Sequence, residues 1–350
     1  MAAVLTAPVL CTREQVADAL DVRGTSRSIA QIDGKLEGAR DAVEGLLNRR
    51  FTPLVTTRYF DWPNLSHAPS WRLWLEESEV VSVTTLTAGG VVIPPADYNL
   101  EPSNFGPPYD RIDVRLDRPS SFVSGATFQR AISVLGVFGW SVDTAPAGAL
   151  AAAITTTTAT TITVTDSGAA GVGDLLLIGT ERLLLTDKAM LTTAQTLQTP
   201  MTAAASNTTV AVTTGTAYQP GEVILLDSER MLITDVAGNN LTVRRAWDGT
   251  VLATHAGSTI YAPRTWTVVR GSAGTTAATA LNGAAVTRHV VPGLIRELAV
   301  AESLNLLLGQ GSGWARPAGA GASTRPQPGS LEDLRAQAVQ QFGRVRTGVV

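Results

Sequence analysis

The sequence predicts an α+β fold, a helical body with a small antiparallel β-sheet, interrupted by an all-β insertion domain of two similar modules. Three observations lead there. Apolar residues recur at three and four near both ends of the chain, and between Thr56 and Trp140 they alternate at two. From Ala145 to about His289 the composition shifts to Ala, Thr, Gly and Val, with β-branched runs such as Thr160 to Thr165 that favour pleated strands.

Thr12 followed by Gln15 has capping-box spacing, so a short helix is expected through Leu20, ended by Gly24. Ser28 with Gln31 opens a longer helix whose face carries Ile29, Ile32, Leu36, Ala39, Val43 and Leu46. Phe51 and Pro53 close it, because the residue before a proline is pushed out of the helical region. Short strands follow at Thr57–Phe60, Trp71–Leu75, Val80–Val83, Tyr98–Leu100, Arg111–Leu116 and Ile132–Val134, separated by Pro, Gly and Asn turns.

The β insertion contains a repeat. Thr161-Ile162-Thr163-Val164, Gly173 to Ile178, Glu181-Arg182 and Thr186-Asp187 match, without a gap, Thr209-Val210-Ala211-Val212, Gly221 to Leu226, Glu229-Arg230 and Thr234-Asp235. Leu241-Thr242-Val243 with Arg245 and Gly249-Thr250 follows the second copy. A similar run, Trp266-Thr267-Val268 with Arg270 and Gly274-Thr275, has no head of its own. The economical inference is nesting: one unit spans about 158–188 plus 265–288, and the other, 189–264, sits inside it. A linear array of partial repeats is the competing arrangement.

The expected organisation is therefore an N-terminal body over 1–144, the insertion over 145–289, a long body helix over 290–310, a flexible Gly/Pro/Ala linker over 311–329, and a C-terminal helix with a basic tail over 330–350. Pro292 suits the first turn of the long helix, whose stripe includes Leu294 and Leu298.

With 350 residues, 44% of them hydrophobic and 16% charged, the chain has enough apolar surface for two cores. A net charge of -3 with dispersed basic residues argues against tight nucleic-acid binding. Cys11 is the single cysteine, which excludes an internal disulfide and fits a reducing cytoplasm. The start of the chain lacks the basic and apolar regions of a secretory signal, so export is not expected. The best spanning candidate, Leu294 to Leu308, is broken by Arg296, Glu297, Glu302 and Asn305, so no membrane partner is expected.

No catalytic, cofactor or metal site is expected. His67, His255 and His289 show no ligand spacing and read as loop or strand-end residues. Gly309, Gly311 and Gly313 read as linker, and Gly311-Ser312-Gly313 lacks the strand-turn-helix setting of a nucleophile elbow. Asp166, Asp174, Glu181, Asp187, Glu222, Glu229 and Asp235 are too dispersed for a calcium loop and read as turn and hairpin residues. Trp62, Trp71 and Trp74 suit a core or subunit contact better than base stacking. Asn64, Asn207 and Asn240 match the short glycosylation acceptor pattern, without weight here.

Outside the insertion the chain resembles the head-to-tail connector (adaptor, or head-completion) proteins of long-tailed bacteriophages. The residues that carry this are Asn48-Arg49-Arg50-Phe51-Thr52-Pro53, Thr57-Arg58-Tyr59-Phe60, Leu73-Trp74-Leu75, Val80-Val81-Ser82-Val83-Thr84, Asp97 to Pro102, and Val137-Phe138-Gly139-Trp140. The family's Gly-Trp/Tyr strand runs through a proline straight into a long helix, whereas here the β insertion separates Trp140 from Pro292. The resemblance covers about 10–142 and 290–345 through many weak positions and no single diagnostic motif.

That resemblance implies a non-enzymatic virion structural protein, made in the bacterial host cytoplasm and placed at the head-to-tail interface. Its partners would be other copies of itself in a dodecameric ring, the portal protein, a tail-side connector or tail terminator, and DNA in transient, non-specific passage. Arg335, Phe342, Arg344 and Arg346 are candidate portal contacts, and Trp71, Trp74, Leu294 and Leu298 candidate subunit-interface or core residues. The alternative is a tail-associated carbohydrate-binding or adhesion protein that uses the β modules.

Overall fold

The computed structural model describes residues 5–20, 29–63, 69–311 and 330–344. Gly24, Ser28, His67, Asn64, Arg346 and the expected linker from 312 to 329 lie outside them. The chain forms two compact units, Met1–Asp41 with Thr144–Leu331, and Ala42–Asp143 with Glu332–Val350. The first holds the β modules and the second is a sheet unit.

Helix α1 (Arg13–Ala19) begins at the Thr12–Gln15 capping box, with both reciprocal bonds formed. Helix α2 (Ile29–Leu47) buries Ile32, Leu36, Ala39, Val43 and Leu47, while Ile29 and Leu46 are exposed. Its first part belongs to the modular unit and its last turns to the sheet unit.

The sheet unit contains β1 (Leu54–Phe60), β2 (Arg72–Trp74), β3 (Val80–Ala88), β4 (Val91–Ile93), β5 (Tyr98–Glu101), β6 (Arg111–Val114) and β7 (Ile132–Phe138). They form two antiparallel sheets, ordered β1-β7-β3-β4 and β2-β6-β5. The period of two decides which side chains turn inward: Ile132, Val134 and Phe138 are buried along β7, and Ile112 and Val114 along β6. One core joins both sheets through Leu73, Leu75, Val80, Leu86 and Phe138.

The modular unit is one extended antiparallel sheet of β8 (Thr144–Ala149), β9 (Thr161–Thr163), β10 (Leu175–Ile178), β11 (Glu181–Thr196), β12 (Thr209–Ala211), β13 (Val223–Leu226), β14 (Glu229–Ala237), β15 (Asn240–Arg244), β16 (Thr259–Val269) and β17 (Ala285–His289). The long strands β11 and β16 pair from Leu184↔Val269 to Thr196↔Thr259, with register shifts along the way. Everything between Thr196 and Thr259 is inserted at the far end of that ribbon.

Pairings repeat across the two modules. In the outer one β9 pairs β16 (Ile162↔Trp266) and β10 pairs β11 (Ile178↔Glu181). In the inner one β12 pairs β15 (Val210↔Leu241) and β13 pairs β14 (Leu226↔Glu229). Even the isolated bridges correspond, Ile154↔Ala280 in one and Met201↔His255 in the other. Each module closes around its own core, with Trp266 at the centre of the outer and Leu241 at the matching place in the inner.

A corresponding shoulder on each module is covered by a different neighbour. On the outer module Val9 and Arg13 donate backbone bonds to Gly173 and Val172, and the Val172 amide donates to Glu14. A Cβ on Gly173, at φ +105°, would meet the Val9 side chain at 2.3 Å, so this close approach requires glycine. On the inner module Glu222 accepts from Ser167 of the outer and from Arg264 of β16, which fixes one module on the other.

The expectation of a helical body with a small sheet is corrected. Among the described residues strands hold 36%, in three antiparallel sheets, and helices only 22%. The amphipathic stripes at the chain ends do form helices, and α1 packs against the helix over Gly293–Gly311. Residues 290–310, expected with the body, form α3 (Gly293–Gly311) in the modular unit, whereas α4 (Leu331–Phe342) belongs almost wholly to the sheet unit. Thr144 and His289 stand opposite each other in the β8–β17 pair. Gly309 and Gly311, read as linker, end α3.

Candidate functional site

Each β module is closed by a buried acid–base clip. In the outer module Glu181 accepts from Arg270 Nε and Nη2, both at 2.7 Å, and from the amides of Gly271 and Ala278, both at 2.9 Å. In the inner module Glu229 accepts from Arg245 Nε at 2.9 Å and Nη2 at 2.6 Å, and from the amides of Ala246 and Ala253 at 3.0 and 2.9 Å. The remaining arginine donors reach backbone carbonyls, Thr156, Ala159 and Ala278 in one module and Thr202, Asn207 and Ala253 in the other.

The turn beside each clip is also shared. Thr275 accepts from the Arg182 amide and donates to the Ser272 carbonyl, and Thr250 does the same with Arg230 and Trp247. Both turns pass through the left-handed region, at Gly271, Ala273 and Gly274 in one and at Ala246, Asp248 and Gly249 in the other. The clip is therefore a property of the module and not of one copy.

Burial opposes ionisation of Glu229, but Arg245, His255 and the two amides outweigh it and hold the carboxyl at about 2. Glu181 is likewise held below the usual carboxylate range: burial opposes this, and Arg270 and its amides prevail. With four or more donors on each carboxylate, the lone pairs are taken up. Neither glutamate is free to accept a proton from a substrate, and the arrangement acts as a structural clip.

The inner clip has an extension that the outer lacks. His255, fully buried, faces Asp227 Oδ2 at 2.7 Å and Glu229 Oε2 at 3.0 Å, and Ser258 donates to Asp227 at 2.7 Å. Bonds from His255 and Ser258 hold the Asp227 carboxyl below its ordinary range. The matching outer positions are Gly179 and Ala280.

In the sheet unit, the outward face of β2-β6-β5 carries Arg72, Trp74, Arg111, Asp113 and Glu101. Arg72 donates to both Asp113 oxygens, at 3.0 and 3.1 Å, and its guanidinium lies 4.6 Å over Trp71. Arg111 lies 5.2 Å over Trp74, which is 42% exposed. A shallow groove of about 680 Å³ runs alongside, lined by Trp71, Asn99, Glu101, Asp113, Arg115 and Asp117.

No family model, curated protein or solved structure matches the chain. Among the described residues no His, Cys, Asp and Glu cluster could hold a metal, and no helix is long and apolar enough to cross a membrane.

The structure places the sequence candidates unevenly. Trp71 and Trp74 come together on the outward sheet face. Leu298 is core and Leu294 is half-buried, both on α3. Phe342, expected to reach a portal, is 8% exposed and packs on Phe51 and Trp140 at 6.0 and 5.3 Å. Its ring is used inside its own unit. Arg344 is tied back through its amide to Leu47 and lies 3.9 Å from Glu79, and Arg335 pairs with Glu332 at 2.7 Å. His255 and His289 are buried; Glu181 and Glu229 stand at the ends of the β10–β11 and β13–β14 hairpins, and with Glu222 they are buried in ion pairs. Sequence reasoning missed both clips, although Arg270 and Arg245 sit at matching places in the two repeat tails.

Proposed function

We propose that the chain is a structural virion protein, a ring-forming head-to-tail adaptor between the portal and the tail of a long-tailed phage, through which DNA passes. The observation that carries this reading is that the residues quoted for the resemblance, from Asn48 to Trp140, lie in one unit with nearly all of α4, although residues 10–41 and α3 fall in the other. Phe51, Trp140 and Phe342 meet around a common aromatic centre, with Arg49 stacked 4.9 Å over Trp140. The strands at Thr57–Phe60, Leu73–Trp74 and Val80–Thr84 frame the core beside it.

The body that serves this role is a pair of sheets closed by a C-terminal helix. Trp74 and the arginines stacked around it offer the residue types that dominate protein interfaces, which makes this sheet face the subunit contact of the ring. Sedimentation and electron microscopy of the purified chain, alone and with its portal, test the reading. Rings, alone or seated on the portal, are expected; a single small particle under every condition contradicts it.

A further inference from the structure

The duplicated modules offer an internal control for these turns, because the backbone path that both copies keep is set by the fold, while exposed side chains that differ along it are open to another role. The clips and their left-handed turns agree. The outward side chains of the same turns do not. Where the outer module has Val269, Ser272, Ala273, Thr276 and Ala277, the inner has Arg244, Trp247, Asp248, Val251 and Leu252.

These inner residues form one surface. The Arg244 guanidinium stacks 4.9 Å over the Trp247 ring, Arg230 pairs with Asp248, and Val251 is 79% exposed. Arg182 is the outer counterpart of Arg230, and Ala273 stands at the repeat position of Asp248. Folding does not require the larger set, since the outer turn takes the same backbone path with small residues. Val251 is left in water and Trp247 and Leu252 are half-buried, so the turn offers apolar surface that a partner would cover. Trp and Arg are also the residues that most often dominate binding at interfaces.

We infer that this turn of the inner module, Arg244 with Trp247, Asp248 and Val251, is a docking surface for an acidic protein segment bearing an apolar side chain. Charge complementarity sets the occupant: Asp248 neutralises Arg230, and among the described residues Arg244 has no carboxylate within ion-pair distance. Val251 and Leu252, a few residues on from the tryptophan, add aliphatic surface that suits an apolar side chain better than a polyanionic nucleic-acid backbone. This surface lies in the β insertion and holds whether or not the adaptor reading does.

The test uses the full chain, titrated with a peptide alternating Glu and Leu, with its Lys/Leu counterpart, and with a short DNA duplex. Saturable binding of the acidic peptide is expected. It should weaken about tenfold or more when Arg244→Val, Trp247→Ser, Asp248→Ala, Val251→Thr and Leu252→Ala give the inner turn the outer residues. The reciprocal exchange, Val269→Arg, Ser272→Trp, Ala273→Asp, Thr276→Val and Ala277→Leu, should add a second equivalent of binding. Absence of saturable binding, unchanged affinity in a folded first variant, failure of the second to gain a site, or preference for the duplex each overturns the inference.

Discussion

The outer and inner modules share strand order, core pattern and closing ion pair, yet they differ in how the chain closes them. The inner module is one continuous segment, whose ends meet where Thr196 stands opposite Thr259. The outer is discontinuous: Glu181 and Arg270 are brought together only across the whole of the inner module. A folded inner module holds the two strands of the outer ribbon side by side. An unfolded one leaves a long loop whose closure entropy is about 3–4 kcal/mol for a length on the order of 60 residues. Stability should therefore pass from inner to outer and hardly in reverse.

The largest effects come from removing one partner of a clip, which strands a buried charge and costs about 3–5 kcal/mol. Arg245→Ala is expected to unprotect the inner module and, through the loop, to weaken the outer as well. Arg270→Ala should unprotect the outer alone. Native-state hydrogen exchange resolves the two patterns, and identical patterns would remove the asymmetry.

A smaller loss is expected from His255→Ala, about 1–3 kcal/mol, because it leaves Asp227 and Glu229 each short of a partner. The outer module, with Ala280 at that place, shows that the backbone tolerates alanine. Urea denaturation of the variant measures the difference.

Acid should act on both clips with the same sign. A carboxyl whose folded value is depressed contributes stability that is fully present above its ordinary value and is lost as pH falls through the folded one. For Glu229, depressed from 4.5 to about 2, the loss falls within that interval, and hydrogen-exchange protection of β13–β15 should follow it.

The smallest effect separates the modules again and has the opposite sign. Burial pushes Asp174 up to about 6, and among the described residues it has no ion-pair partner, whereas its counterpart Glu222 is paired with Arg264. Ionised Asp174 therefore costs stability at neutral pH, and protonation relieves the cost as pH falls through about 6. Asp174→Asn is expected to raise the thermal midpoint slightly near neutral pH and to leave it unchanged in mild acid.

The elements with strong local signals were legible from sequence. Thr12 and Gln15 mark a helix start because a capping box is a local bond pair. The strands at Thr57–Phe60 and Ile132–Val134 show because one face is buried. The ungapped match of Thr161–Asp187 to Thr209–Asp235 is visible because each copy must fill the same core. In the sheet unit β4 escapes the sequence reading, because its three residues are too few for a clear period.

What stayed hidden depends on distance along the chain. Glu181 looks like any hairpin-end acid until Arg270 is brought beside it, and the burial of His255 is masked by the exposed Thr254 and Ala256 on either side. Phe342 follows a Gly/Pro-rich stretch read as a linker, and its ring partners, Phe51 and Trp140, are far away in sequence.

The most direct measurement replaces residues 197–258 with Asn-Gly, a two-residue turn that suits the antiparallel Thr196↔Thr259 pair. If one closed module is threaded through another, the shortened chain keeps hydrogen-exchange protection at Leu183, Leu185, Trp266 and Val268. Loss of protection at those four positions would mean that the outer module has no independent fold, and would contradict the account.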